Sequence, residues 1–278
     1  MNLISIAKKL AKGDLYYALG RFYCVRKCYS AYRKCTSYRK KIISCNRTTL
    51  FPTVSTENAI LNIKKEAVAF GFNLPAELVE QISQFAKTEA CTRSGDRRQF
   101  FFSDVKMGKL NDNNSVVLGF VDNPQRLPAI HAITNDQKLL SVCSGYLGYK
   151  PTHIETRLYW SFATHEPDEV RQKKWQTTRY HFDVDGFNFL YANFYITPVT
   201  RYSGAHVMIQ GSHCRKPLRM LFHSANQTDE AIFNYYLQKD EIVIEGPSGL
   251  GFIQDSSCYH KALPPEKDHR LMLQLRIK

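Results

Sequence analysis

The period of the hydrophobic pattern changes near residue 150, and that change limits the possible folds more than any other feature. Beyond it, the stretches HIETRLYWSF, FNFLYANFYI, AHVMIQGSH, DEIVIEG, SGLGFIQD and HRLMLQLRI are short and rich in β-branched and aromatic residues. Gly, Pro, Ser and Asp separate them, as turn residues separate strands. The last stretch alternates most cleanly. Leu271, Leu273, Leu275 and Ile277 interleave with Arg270, Met272, Gln274 and Arg276. Side chains alternate across a strand, so the two sets face opposite ways. The aliphatic face is predicted to pack on a helical layer and Arg270 to point into the space between two sheets.

Before residue 150 the period is helical. A helix is expected within 57–70. LPAELVEQISQFAKTEA (74–90) reads as another, with Pro75 near its first turn and Leu78, Val79, Ile82 and Phe85 on one face. AIHAITNDQKLLSVCSGYLG (129–148) reads as a third, ended near Gly148. Helices followed by a run of strands indicate an α+β chain whose second half is a jelly roll or similar sandwich-like barrel.

Charge divides the chain differently. Residues 1–50 hold twelve Lys/Arg and one acid, Asp14, and so carry eleven of the net thirteen positive charges. The remainder is nearly neutral, which argues against a nucleic-acid-binding body. The run stops at TTLFPTVSTEN, giving a basic, helical N-terminal extension (1–50) and a main domain (51–278). Residues 1–12 are amphipathic, with Leu3, Ile6, Ala7 and Leu10 opposite Lys8, Lys9 and Lys12. The segment has three readings: a solvated extension, an anchor on an anionic membrane surface, or an organelle-targeting signal. No apolar run reaches the roughly 18 residues of a membrane span, and no secretory signal pattern is present. The eight cysteines lack a repeated C-x2-C unit and suit reduced thiols of an intracellular, cytoplasmic or peripheral membrane protein better than a zinc ribbon or disulfide framework.

RYHFDVDGFNF (179–189) puts His181 and Asp183 two apart, on one face of a strand end. His153-Ile154-Glu155 has the same form and reads as an exposed strand face. What sets His181 apart lies downstream. His260 follows the strand GLGFIQD, and Arg270 comes ten residues later at the head of the last strand. An antiparallel hairpin across that interval is expected to bring His260 and Arg270 together. Two histidines and a carboxylate are the donor set of non-haem Fe(II) oxygenases and leave three coordination positions open. His165, His206, His213, His223 and His269 read as ordinary polar or turn residues, and Asp185 as the start of the turn at Gly186. Arg97, Arg98, Arg157 and Arg179 are cations for an anionic substrate, or surface charges.

His181-Phe182-Asp183, Gly204, the turn Gly211-Ser212-His213, the motif Gly-x-Gly-x-Ile-x-Asp (249–255), His260 and Arg270 together resemble the phytanoyl-CoA dioxygenase-like family of Fe(II)/2-oxoglutarate oxygenases, from about residue 74 to the C-terminus. The resemblance implies a double-stranded β-helix (jelly-roll or cupin-like) core. It implies His181, Asp183 and His260 as iron ligands and Arg270 as the clamp on the distal carboxylate of 2-oxoglutarate. Tyr191 and Asn193 are its candidates for further cosubstrate contacts. It implies 2-oxoglutarate and O2 as cosubstrates, ascorbate as an aid in vitro, and hydroxylation of a small-molecule or lipid-like acyl substrate with release of succinate and CO2. Ala262 and Met272 stand where some relatives carry Ser or Thr. A carboxylate at 183 argues against halogenation, which needs a small residue there. The alternatives are an oxygenase of the same fold acting on a macromolecule, and a non-catalytic membrane-associated binding protein on the same barrel.

Overall fold

The computed structural model describes residues 18–36, 49–93, 96–111, 114–174 and 176–278. The predicted helix at 1–12 lies outside them. In chain order the main elements are α1 (Tyr23–Thr36), α2 (Thr56–Glu66), β1 (Val68–Phe70), α3 (Ala76–Thr88), β2 (Cys91–Arg93), β3 (Asp96–Phe100), β4 (Leu118–Val121), α4 (Pro128–Thr134), α5 (Gln137–Leu147) and β5 (Ile154–Ser161). Then follow α6 (Asp168–Lys173), β6 (Leu190–Tyr195), β7 (His206–Ile209), α7 (Leu218–Phe222), α8 (Asp229–Phe233), β8 (Glu241–Ile244), β9 (Gly251–Gln254), β10 (His260–Ala262) and β11 (Arg270–Ile277). No helix among the described residues is long and apolar enough to cross a membrane. None of the described cysteines is bridged to another.

The strands form an eight-stranded sheet, ordered β1-β9-β6-β11-β5-β4-β2-β3, and a three-stranded sheet, β10-β7-β8. Every pairing within them is antiparallel. Strand β11 sits in the middle of the large sheet between β5 and β6. Its Leu271, Leu273, Leu275 and Ile277 are fully buried in one core with Ile63 of α2, Ile82 of α3, Ile133 of α4 and Leu139 of α5. The alternation therefore sorts β11 as expected: aliphatic side chains under the helices, Arg270 and its neighbours toward the small sheet.

Two expectations need correction. The segment 129–148 is two helices, not one. The Asp136 carboxylate accepts the backbone N–H groups of Lys138 and Leu139 (2.9 and 3.0 Å), so it caps a new helix instead of continuing the old one. The interval between His260 and Arg270 is not a hairpin within one sheet. β10 pairs with β7 in the small sheet, whereas β11 pairs with β5 and β6 in the large one. The chain crosses from one sheet to the other, and the two residues face each other across the gap.

The Gly-x-Gly of residues 249–251 is a packing requirement. Gly249 has φ +88°, and a Cβ there would sit 2.9 Å from the Leu74 carbonyl. A Cβ on Gly251 would collide with the Phe72 carbonyl and the Phe194 ring.

The described part of the basic segment is built into the body. On α1, Cys24, Lys27 and Cys28 are exposed, while Arg26 is only 3% exposed. Its guanidinium donates to Asp255 Oδ2 (2.8 Å), Asn188 Oδ1 (2.9 Å) and Ser257 Oγ. Asp255 is wholly buried and also accepts the Tyr146 hydroxyl. Burial by itself would raise the Asp255 carboxyl. The adjacent Arg26 charge reverses this and holds it below the ordinary carboxylate range.

Two stability measurements follow. Leu273→Ala should cost about 2–5 kcal/mol in urea unfolding, because it opens a cavity in a core with no exposed side. A carboxyl held low in the folded state adds stability above the ordinary carboxylate pKa that is lost as pH falls below about 4. The urea midpoint of the parent should therefore drop more steeply from about pH 5 to about pH 3 than that of Asp255→Asn.

Candidate metal centre

His181 and His260 form an isolated antiparallel bridge. The His181 N–H donates to the His260 carbonyl (2.9 Å), and the His260 N–H donates to the His181 carbonyl (2.8 Å). Residues paired in this way lie about 5.5 Å apart at Cα and send their side chains to the same face. The two imidazole centroids are 4.2 Å apart. Asp183 follows two residues on, so its carboxylate returns to that face, and its own N–H donates to the Ser256 carbonyl (2.9 Å). His260 Nε2 lies 3.5 Å from Asp183 Oδ2, and His181 Nε2 lies 4.0 Å from Asp183 Oδ1. One donor atom from each of the three residues falls within 4.8 Å of the others.

The tautomers suit a metal. His181 Nδ1 sits 3.1 Å from the Arg179 carbonyl, and His260 Nδ1 sits 3.0 Å from the Cys258 carbonyl. A carbonyl only accepts, so each Nδ1 carries a proton, and Nε2 is the nitrogen that each ring turns toward Asp183 and would offer to a metal. Burial, and after it the neighbouring His181, pushes His260 down to about 4, which keeps the ring neutral near pH 7.

The three donors open into a cavity of about 660 Å3 between the sheets. Its opposite wall is the inner face of β11 and its neighbours, including Arg270, Met272, Gln274 and Arg276. Arg270 is 3% exposed. It donates to Ser161 Oγ (3.0 Å), its cross-strand partner on β5, and to the Gly204 carbonyl. Its Nε has no hydrogen-bond partner among the described residues. A buried guanidinium with an unused N–H, in the same cavity as two histidines and a carboxylate, fits a carboxylate ligand.

The other sequence-derived candidates divide. Tyr191 lines the cavity, its hydroxyl donates to Asp185 (3.0 Å), and Arg276 lies 4.7 Å over its ring. Asn193 is buried and accepts from Gln274 Nε2 (3.1 Å), so Gln274 is the one that meets the cavity. Arg157 lines the cavity and pairs with Glu155 (2.7 Å), whereas Arg98 and Arg179 are exposed and the Arg97 side chain lies outside the described residues. His153 is exposed, as the decoy reading requires. His213 is buried away from the cavity, edge-on to Tyr23 at 6.0 Å. His269 Nδ1 accepts the Ala163 N–H (2.9 Å).

Three residues carry more than their sequence suggested. His206 lines the cavity with its ring 5.3 Å from that of His260. Its position on β7 opposite Ala262, on the His260 side of that strand pair, was open to the same alternation argument that singled out Arg270. Ser161 holds Arg270, but a serine at a strand end gives no sequence signal. Asp185 is more than the start of a turn: it accepts from Tyr191 and Lys278 and sits 3.7 Å from Arg276, tying the end of β11 to the ligand-bearing segment.

No family model matches the chain, and no curated protein matches it in sequence. Solved structures share its fold. EctD from S. alaskensis, determined with 2-oxoglutarate and 5-hydroxyectoine, aligns with a TM-score of 0.55 at 12% identity, over 81% of this chain and 76% of that one. The non-haem α-ketoglutarate-dependent epimerase SnoN of nogalamycin biosynthesis aligns with a TM-score of 0.53 at 14% identity, over 80% and 83%. EvdO2 from Micromonospora carbonacea var. aurantiaca, complexed with 2-oxoglutarate, gives 0.52 at 12% identity, over 83% and 94%. The large antiparallel sheet and its smaller facing sheet are thus an architecture found among 2-oxoglutarate-dependent enzymes.

The metal-stripped protein should bind one Co(II) per chain by calorimetric titration. Asp183→Ala, which removes the only carboxylate of the cluster, should weaken that binding at least tenfold.

Proposed function

We propose that this chain is a non-haem Fe(II)/2-oxoglutarate-dependent oxygenase of the phytanoyl-CoA dioxygenase-like kind, acting on a small organic or acyl substrate. The observation that carries the reading is the meeting of His181, Asp183 and His260 in one cavity with the buried guanidinium of Arg270. Two imidazoles and a carboxylate would hold Fe(II) and leave three positions for ligands that are not protein. Bound iron supplies O2 activation, with 2-oxoglutarate as the reductant that leaves as succinate and CO2.

The residues of the chain do the rest. The carbonyls of Arg179 and Cys258 hold Nδ1 of each histidine and so turn each Nε2 toward the ion. Arg270, steadied by Ser161, grips the far carboxylate of 2-oxoglutarate. Tyr191 forms a wall beside Asp183, and Asn193 orients Gln274 at the floor. A cavity of this size holds the cosubstrate and a small second molecule. The cationic Arg157 and Arg276 on its wall favour a substrate with a carboxylate or phosphate.

Succinate release from 2-oxoglutarate with Fe(II) and ascorbate tests the proposal. The parent should turn over slowly without added substrate, and His181→Ala should be silent. If the parent releases no succinate under any metal or substrate condition, the oxygenase reading falls. Arg270→Met should raise the 2-oxoglutarate concentration for half-maximal turnover about 10- to 100-fold, the loss of a charge-assisted carboxylate contact.

A further inference from the structure

Alternation that turns His181 and Asp183 toward the cavity turns Phe182 away from it, and Tyr259 likewise lies behind His260. These two rings meet edge to face at 5.5 Å on the reverse of the small sheet. Two cations cover them. Lys216 Nζ lies 4.9 Å from the Phe182 ring and 5.5 Å from that of Tyr259, and the Arg21 guanidinium lies 5.6 Å from Phe182. Arg21 belongs to the basic N-terminal segment.

Arg26, from the same N-terminal segment, grips the loop between β9 and β10. It binds Asp255 and Ser257, and the Ser257 N–H in turn donates to Asp255 Oδ1 (3.0 Å). That loop supplies two of the bonds that orient the metal donors. The Ser256 carbonyl accepts the Asp183 N–H, and the Cys258 carbonyl meets His260 Nδ1. One side chain from α1 therefore holds the stretch on which two of the three ligand residues depend, though Arg26 itself does not line the cavity.

Resting on the oxygenase reading, we propose that Arg26 is a positioning residue for the metal centre, and that residues 18–36 brace the ligand-bearing loop from behind. Groups that orient metal ligands without touching the ion change its affinity about 10- to 100-fold when removed. Basic charge on this segment then serves the interior of the protein as well as its surface.

The test is Co(II) titration of the metal-stripped, full-length protein, followed by visible absorption. Arg26→Met alone strands a buried carboxylate and risks unfolding the chain. The double variant Arg26→Met/Asp255→Asn removes both charges and carries the test. Its Co(II) dissociation constant should rise about 10- to 100-fold, with an altered absorption envelope, while Arg26→Lys retains much of the parent affinity. Ser257→Ala, which leaves the ion pair in place, should lose affinity by a few-fold and provides a second, milder probe. Leu273→Ala, a core change on the far face, should keep the parent affinity and spectrum despite its lower unfolding midpoint. Parent-like Co(II) binding in the folded double variant or in Ser257→Ala would overturn the brace. Absence of Co(II) and Fe(II) binding by the parent itself would instead overturn the oxygenase reading beneath it.

Discussion

Two reciprocal hydrogen bonds between the main chains of His181 and His260 set the geometry on which the site depends. They form an isolated bridge, flanked by two single main-chain bonds, from the Asp183 N–H to the Ser256 carbonyl and from the Ala262 N–H to the Thr177 carbonyl (both 2.9 Å). Everything else follows from the two-residue period of an extended chain. The paired histidines share a face, Asp183 rejoins it, and Phe182 and Tyr259 take the other. Three candidate metal donors thus converge without strained backbone: among the described non-glycine residues, positive φ values fall at Ala67, Met107 and Asn123, all distant in sequence from the cluster.

The cavity owes its chemistry to polar groups that the fold leaves incompletely used. Buried polar atoms are normally paired, because an unpaired one forfeits its hydration. Arg270 Nε is an exception, and its exposure of only 3% makes the exception costly. His206, beside His260, is kept neutral: burial, and after it His260, holds it well below the ordinary histidine range. On the proposed reading, an anion meets Arg270 and a divalent cation the opposite wall.

Local period revealed the longer strands beyond residue 150, the inward turn of Arg270 and the shared face of His181 and Asp183, but not β1–β4, which lie in the half read as helical, nor the short β10. Much of what it concealed was non-local. The apolar pattern runs on through Asp136, where the capping carboxylate breaks the helix. The passage of the chain from β10 to β11 between sheets could not be told from a hairpin by loop length alone. Arg26 was hidden most thoroughly. Among twelve basic residues in fifty it reads as surface charge, and what distinguishes it are buried partners far along the chain, Asn188, Ser257 and, 229 positions away, the Asp255 carboxylate.

That separation bears on how the protein is made. Synthesis delivers Arg26 229 residues before Asp255, so the guanidinium must stay hydrated while the intervening chain emerges. Contacts of such long range close late in folding, once most of the loop entropy has been met elsewhere. A chain cut short before residue 255 lacks the carboxylate, the Ser256 carbonyl and His260 together. Anchoring of α1 and completion of the donor cluster are therefore coupled, and a nascent polypeptide gains both only once residues 255–260 have emerged.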